Sequence, residues 1–298
     1  MFQKTAMSTS DAIVAQGGRE SQEDRCTILL PEEFPSSSDK HRLAFFAVYD
    51  GHGSELVSEH ASQTLHHLLA KRPEFERGEY ALAIKGALKD EDSLLLERFK
   101  YESAEPAISG STVAVGFVNL TTGELIVSNL GDSHVILAER DPRTEHPYHI
   151  RRLTEAHKPE APRERQRIED AGGTVVMRGG IPRLGSLNMS RALGDLQYKQ
   201  PVNESNSARA RPTGDFVSND PFISRRTLRR DRRYLLVIAS DGVTDRIDDT
   251  ALVQHVMKQA MRGHGAREMA QSLASSSASH AHSDNASCIV VLLDGQGS

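Results

Sequence analysis

Apolar positions fall into two rhythms along this chain. Short runs rich in β-branched and aliphatic residues, Leu43 to Tyr49, Ser111 to Val118, Glu124 to Ser128, His134 to Ala138, Tyr234 to Ala239 and Ser287 to Leu293, predict strands. Turn signals join two neighbouring pairs, Thr122-Gly123 after Asn119 and Gly131-Asp132 after Asn129, so an antiparallel meander is expected rather than a βαβ crossover. The second rhythm has helical spacing. Val57, Ala61, Leu65 and Leu68 mark one amphipathic stripe, and Ala81, Ile84, Leu88, Leu95 and Phe99 another. A third helix is expected from about Glu160 to Asp170, ended by Gly172-Gly173, with two more over Asp248 to Met261 and Ala266 to Ser277. Sheets covered by helices, with antiparallel connections, predict a layered α+β architecture. No internal repeat interrupts the pattern. Low complexity is confined to Ser36-Ser37-Ser38 and a Ser-rich stretch near Ser275, and Val202 to Asp220 reads as a surface loop.

Composition narrows the classes. The 298 residues contain 38% hydrophobic and 26% charged side chains, enough for a core, and no linker-like break divides them. One large domain is the first expectation, and two the alternative. A net charge of −5 gives no broad basic field, which argues against nucleic acid as a ligand. Two cysteines, Cys26 and Cys288, suit a reducing compartment better than a disulfide framework. Neither an apolar span nor a signal-peptide core is visible, so an intracellular protein not bound to membranes is expected. The further expectations are a cytoplasmic monomer, with the nucleus as a second location.

The informative polar feature is where acids fall. Asp50 follows one expected strand, Asp241 follows another, and Asp284 precedes the last. Asp50-Gly51 and Asp241-Gly242 each place an acid beside a residue without side-chain bulk, which lets a backbone carbonyl approach an ion. Hard cations such as Mg²⁺ and Mn²⁺ prefer carboxylate, carbonyl and water oxygens, and would relieve the mutual repulsion of gathered carboxylates. Taken singly, each Asp-Gly pair is more readily a turn.

In combination the segments carry a resemblance. Arg19-Glu20-Ser21-Gln22-Glu23-Asp24, Asp50-Gly51-His52-Gly53, Gly131-Asp132-Ser133, Ser240-Asp241-Gly242 with Asp245, and Asp284-Asn285 resemble, in order, the signature of the metal-dependent, 2C-type protein phosphatase family. His157-Lys158-Pro159 through Val175 resembles that family's flap, and Ser190-Arg191-Ala192-Leu193-Gly194-Asp195 the motif after it. The resemblance implies a four-layer α-β-β-α sandwich: two antiparallel sheets flanked by helices, in a single catalytic domain over residues 1–298 with a flap at about 157–190. It implies a serine/threonine phosphatase that acts on phosphoproteins in signalling, using two Mn²⁺ or Mg²⁺ ions and a third held more weakly. Asp50 would bridge the two ions, Glu23 and the Gly51 carbonyl would complete one site, Asp241 and Asp284 the other, and Asp24 would act through water. Asp132, Asp241 and Asp245 would hold the third ion. A water between the ions would attack phosphorus in line, Arg19 would grip the phosphoryl oxygens through its planar guanidinium, and His52 would be the general acid.

The chain departs from the family pattern at Ser54, His134, Thr244 and Ser287, positions that bear on substrate preference and the third ion more than on the core ligands. The arginines from Arg225 to Arg233 read first as a solvated face and second as an import or acidic-substrate patch. The rivals are a catalytically silent binding module, which should have lost acidic ligands, and a metal-dependent nuclease, which the acidic charge disfavours.

Overall fold

A computed structural model describes residues 6–35, 40–101, 105–143, 148–203 and 212–294; the Ser36-Ser37-Ser38 run and the middle of the 202–220 segment lie outside them. One antiparallel sheet is ordered β1 (Ala6–Ala15), β15 (Ala286–Asp294), β14 (Arg233–Ala239), β8 (His134–Arg140), β9 (His149–Arg152). The other is ordered β13 (Phe222–Thr227), β7 (Glu124–Leu130), β6 (Val113–Asn119), β3 (Leu43–Tyr49), β2 (Arg25–Leu29).

The central strands are apolar on both faces because both faces are covered. From β3, Phe45, Ala47 and Tyr49 pack with residues of helices α1 (Leu56–Lys71) and α3 (Tyr80–Tyr101), among them Leu65 and Leu88. The alternate residues, Ala44, Phe46 and Val48, meet Leu137, Leu236, Ile238 and Ile289 of the facing sheet. Beyond that sheet, Leu235 and Val237 pack on Leu252, Val256, Met269 and Leu273 of the helices Asp249–Met261 and Ala266–Ser277. The result is the four-layer α-β-β-α sandwich. Among the described residues no helix is long and apolar enough to cross a membrane.

Most expected elements lie within a residue or two of their observed bounds, and two expectations need correction. The Thr122-Gly123 turn does close a hairpin between β6 and β7, but Gly131-Asp132 does not, because β7 and β8 belong to different sheets. Gly131, at φ +87°, turns the chain across the sandwich, and His157 accepts its N–H at 3.1 Å on Nδ1. The 202–220 segment is not purely surface either. Val217 is fully buried, with Ile168, Leu184, Leu187, Met189 and Ala192, in a small separate core under the flap segment. Strands β1, β2 and β13, which lacked a clean apolar run, escaped the sequence reading. The basic run from Arg225 to Arg233 behaves as an ion-paired face: Arg232 reaches Glu139 at 3.3 Å and Arg229 reaches Asp231 at 3.1 Å.

The flap segment is anchored by a buried acid. Glu164, on the helix Pro162–Asp170, accepts from Arg191 Nε at 3.1 Å, Arg167 at 3.1 Å and Ser190 Oγ at 2.7 Å. Burial opposes its ionisation, but the Arg191 and Ser190 hydrogen bonds and the two guanidinium charges outweigh that and hold it at about 2, below its ordinary 4.5. A depressed folded value stabilises the fold above the unfolded value and loses that contribution as pH falls through about 2. Glu164→Gln is therefore expected to lower unfolding free energy by roughly 3 kcal/mol at pH 7, with the difference from wild type closing as pH falls from 4.5 to 2, measured by urea titration followed by circular dichroism.

Candidate active site

Strand register brings the motif acids to one end of the sandwich. Arg25 pairs with Tyr49, so Asp24 and Asp50 leave the same end of β2 and β3. Ala239 pairs with both His134 and Cys288, so Asp132, Asp241 and Asp284 leave the corresponding end of the facing sheet. Asp241 opens the short helix Asp241–Thr244, which also places Asp245 there.

This gathering is electrostatically costly. Burial pushes the Asp50 carboxyl well above the ordinary range, and the charges of Asp24, Asp241 and Asp132 add to it. Asp241 is raised to about 7 by burial and then by Asp132, Asp245 and Asp284. Asp24 is raised to about 6 by burial, with Asp284 contributing. Both carboxylate oxygens of Asp24 and Oδ1 of Asp132 are buried without hydrogen-bond partners.

Some acids are engaged with other groups. Asp284 accepts from Arg19 at 2.6 Å, Glu23 from Ser21 Oγ at 2.8 Å, and Asp132 pairs with Lys158 of the flap segment. Among the described residues no three His, Cys, Asp or Glu side chains form a group that could hold an ion as they stand. The acids thus converge without forming a closed coordination shell. Their chemistry nevertheless fits a hard divalent ion: an all-oxygen donor set, partnerless buried carboxylate oxygens, and charge repulsion that a cation would remove.

The other expected residues lie beside this cluster. Gly51 presses against the backbone carbonyl of Glu23, where a side chain would collide. His52 Nε2 donates to Asp195 Oδ2 at 2.7 Å. Burial alone would push the His52 imidazole down, but Asp195, with Asp132 and Glu23, raises it above the ordinary histidine value. Arg19 is exposed on the loop before Glu23 and reaches the site through Asp284.

A family model described as Protein phosphatase 2C matches residues 9–286. The chain belongs to the protein phosphatase 2C family. Curated relatives include Protein phosphatase 2C homolog 2 of Aspergillus flavus, 34% identical over 251 residues that cover 82% of this chain and 52% of the relative. Probable protein phosphatase 2C 45 of Oryza sativa subsp. japonica is 32% identical over 263 residues, covering 88% and 81%. The chain spans about half the length of the fungal relatives it matches. The fold is shared with a serine-threonine phosphatase 2C from Toxoplasma gondii, at a TM-score of 0.76 and 22% identity over 99% of both chains.

Sequence reasoning missed two residues of this phosphatase-family site. Asn285 ties down the loop that carries Arg19 and Glu23: its Oδ1 accepts the Glu23 N–H at 2.9 Å, and its Nδ2 donates to the carbonyls of Gln16 and Ser21 at 2.8 and 3.0 Å. The Asp284-Asn285 motif carried that signal, but not its target 262 residues away. Asp195 was visible only as part of the segment after the flap, and nothing in its spacing points to His52. Asn285→Ala is expected to cost about 1–3 kcal/mol by leaving these backbone groups unpaired. Amide exchange over residues 16–24 should accelerate while the β3 and β14 amides stay protected; unchanged exchange in the loop would contradict the assigned role.

Proposed function

We propose that this protein phosphatase 2C family member hydrolyses phosphoserine and phosphothreonine in protein substrates, with Mn²⁺ or Mg²⁺ as its cofactor. The observation that carries this reading is the convergence of Asp24, Asp50, Asp132, Asp241, Asp245 and Asp284 on one end of the sandwich, where burial and mutual repulsion raise Asp24, Asp50 and Asp241. Asp50, Glu23 and the carbonyl of Gly51 would hold one ion, and Asp50, Asp241 and Asp284 a second, with Asp24 acting through water. A third, weaker ion would fall to Asp132, Asp241 and Asp245. Bound there, the ions supply Lewis acidity that activates a water for attack and offsets phosphoryl charge.

The chain's own residues divide the remaining work. The exposed guanidinium of Arg19 exchanges its Asp284 contact for two phosphoryl oxygens, which its planar fork matches and a lysine does not. His52, held beside the acids, protonates the departing serine or threonine oxygen. The pairs Lys158–Asp132 and Arg19–Asp284 place cationic groups against two of the acids, a neutralisation that bound divalent ions would also supply.

Wild-type protein is expected to release phosphate from a phosphothreonine peptide with Mn²⁺ or Mg²⁺, to fall silent in excess EDTA, and to recover on metal addition. Full activity in excess chelator would contradict the proposal. Asp50→Asn should lose about 100-fold or more in kcat and weaken ion binding by calorimetry, because an amide is a poor ligand for a hard cation. Absence of both ion binding and phosphate release in wild type would favour the silent binding module instead.

A further inference from the structure

His52 is placed by a small sheet separate from the two large ones. The two-residue strands β4 (Gly51–His52), β5 (Gly110–Ser111) and β12 (Leu193–Gly194) lie in the order β12-β5-β4. His52 pairs with Gly110, and Gly110 pairs on its other side with Gly194. Asp195 follows Gly194, so the register sets its carboxylate and the imidazole across the same glycine. A Cβ at Gly110 would collide with both Asp195 Oδ2 and His52 Nε2, so only glycine lets the 2.7 Å contact form.

The acid is held with unusual firmness. Asp195 is fully buried, and its backbone sits at φ +51°, a left-handed conformation uncommon for any residue but glycine. Its N–H donates to Ser109 O at 2.7 Å, and its carbonyl accepts from Tyr198 N at 2.8 Å. The buried Asp92 of α3 accepts the neighbouring Gly194 N–H at 2.8 Å, and the buried Lys199 donates to Ala192 O at 2.8 Å. Asp195 Oδ1 has no hydrogen-bond partner, so His52 receives the whole directional interaction of a buried carboxylate. Strain and burial of this kind persist only where the surroundings over-determine them.

We infer that Asp195 is a positioning residue for His52: it accepts the Nε2–H, fixes the ring plane and tautomer, and leaves Nδ1 as the nitrogen that delivers a proton. His52 Nδ1 is buried and without a partner. The inference rests on the proposed general-acid role of His52. In the step, the attacking water's oxygen forms the new P–O bond and sheds one proton to solvent. The bond to the serine or threonine oxygen breaks with its electron pair remaining on that oxygen, which takes the Nδ1 proton, and solvent returns a proton to Nδ1 after phosphate leaves. Asp195 orients the ring through its 2.7 Å contact with Nε2, as the acid of a Ser-His-Asp triad does.

Leaving-group dependence separates this role from a purely structural one. Asp195→Asn and Asp195→Ala should lower kcat on a phosphothreonine peptide about 10- to 100-fold with KM nearly unchanged, and spare p-nitrophenyl phosphate, whose leaving group departs without a proton. His52→Ala is measured alongside. If it discriminates between the substrates and the Asp195 variants do not, the inference is overturned while the general-acid reading survives. If His52→Ala treats both substrates alike, the general-acid reading falls, and the Nδ1 route with it. Positioning is then judged by imidazole ¹⁵N spectra of the Mg²⁺-supplemented protein. Wild type is expected to hold His52 protonated on Nε2 and Asp195→Ala to lose that preference; an unchanged tautomer overturns the inference.

Discussion

Like charge gathered where two sheets end is the constraint to which the rest of the molecule answers. A carboxylate taken out of water is costly, and several facing one another are costlier, so Asp24, Asp50 and Asp241 all have raised values. A sandwich tolerates this only because the opposing force is large: three apolar layers run through the fold, and β3 and β14, which lead into Asp50 and Asp241, are buried on both faces. The scaffold is thus stable enough to present an end that is not. The same electrostatics explains why Lys158 and Arg19 lean onto Asp132 and Asp284.

The chain closes on itself to make that end. Strand β1 pairs with β15 along nearly its full length, and Asn285 and Ser283 at the start of β15 take up the loop after β1. Gly17 and Gly18 allow the loop to press directly on the backbone carbonyls of Asp284 and Ala281. Residues early and late in the sequence therefore form one wall of the site, and loss of either side would free the other.

Departures from the family pattern have local physical accounts. His134, where an arginine is usual, is buried with Nδ1 at 2.8 Å from Thr154 Oγ1, and burial followed by the nearby Arg152 charge lowers it to about 4, so it is neutral near pH 7. A neutral ring beside Asp132 leaves Lys158 as that acid's cationic partner. Ser54, where a second glycine is common, shares a 2.6 Å hydrogen bond with the buried Ser109, whose carbonyl also holds Asp195.

Local pattern determined much of this protein. Strand and helix positions, the layered class and the acidic motif were legible because alternate burial and helical spacing write themselves into neighbouring residues. Tertiary structure decided the rest. That β7 and β8 split between sheets depends on which partner each strand finds, which a Gly-Asp turn does not encode. That the acids converge but are partly held by Arg19, Ser21 and Lys158 depends on side chains brought together from distant segments. Asp195 meets His52, 143 positions away, only through the register of three two-residue strands. Contacts of that kind arise from long-range pairing and packing, so periodicity along the chain carries no trace of them.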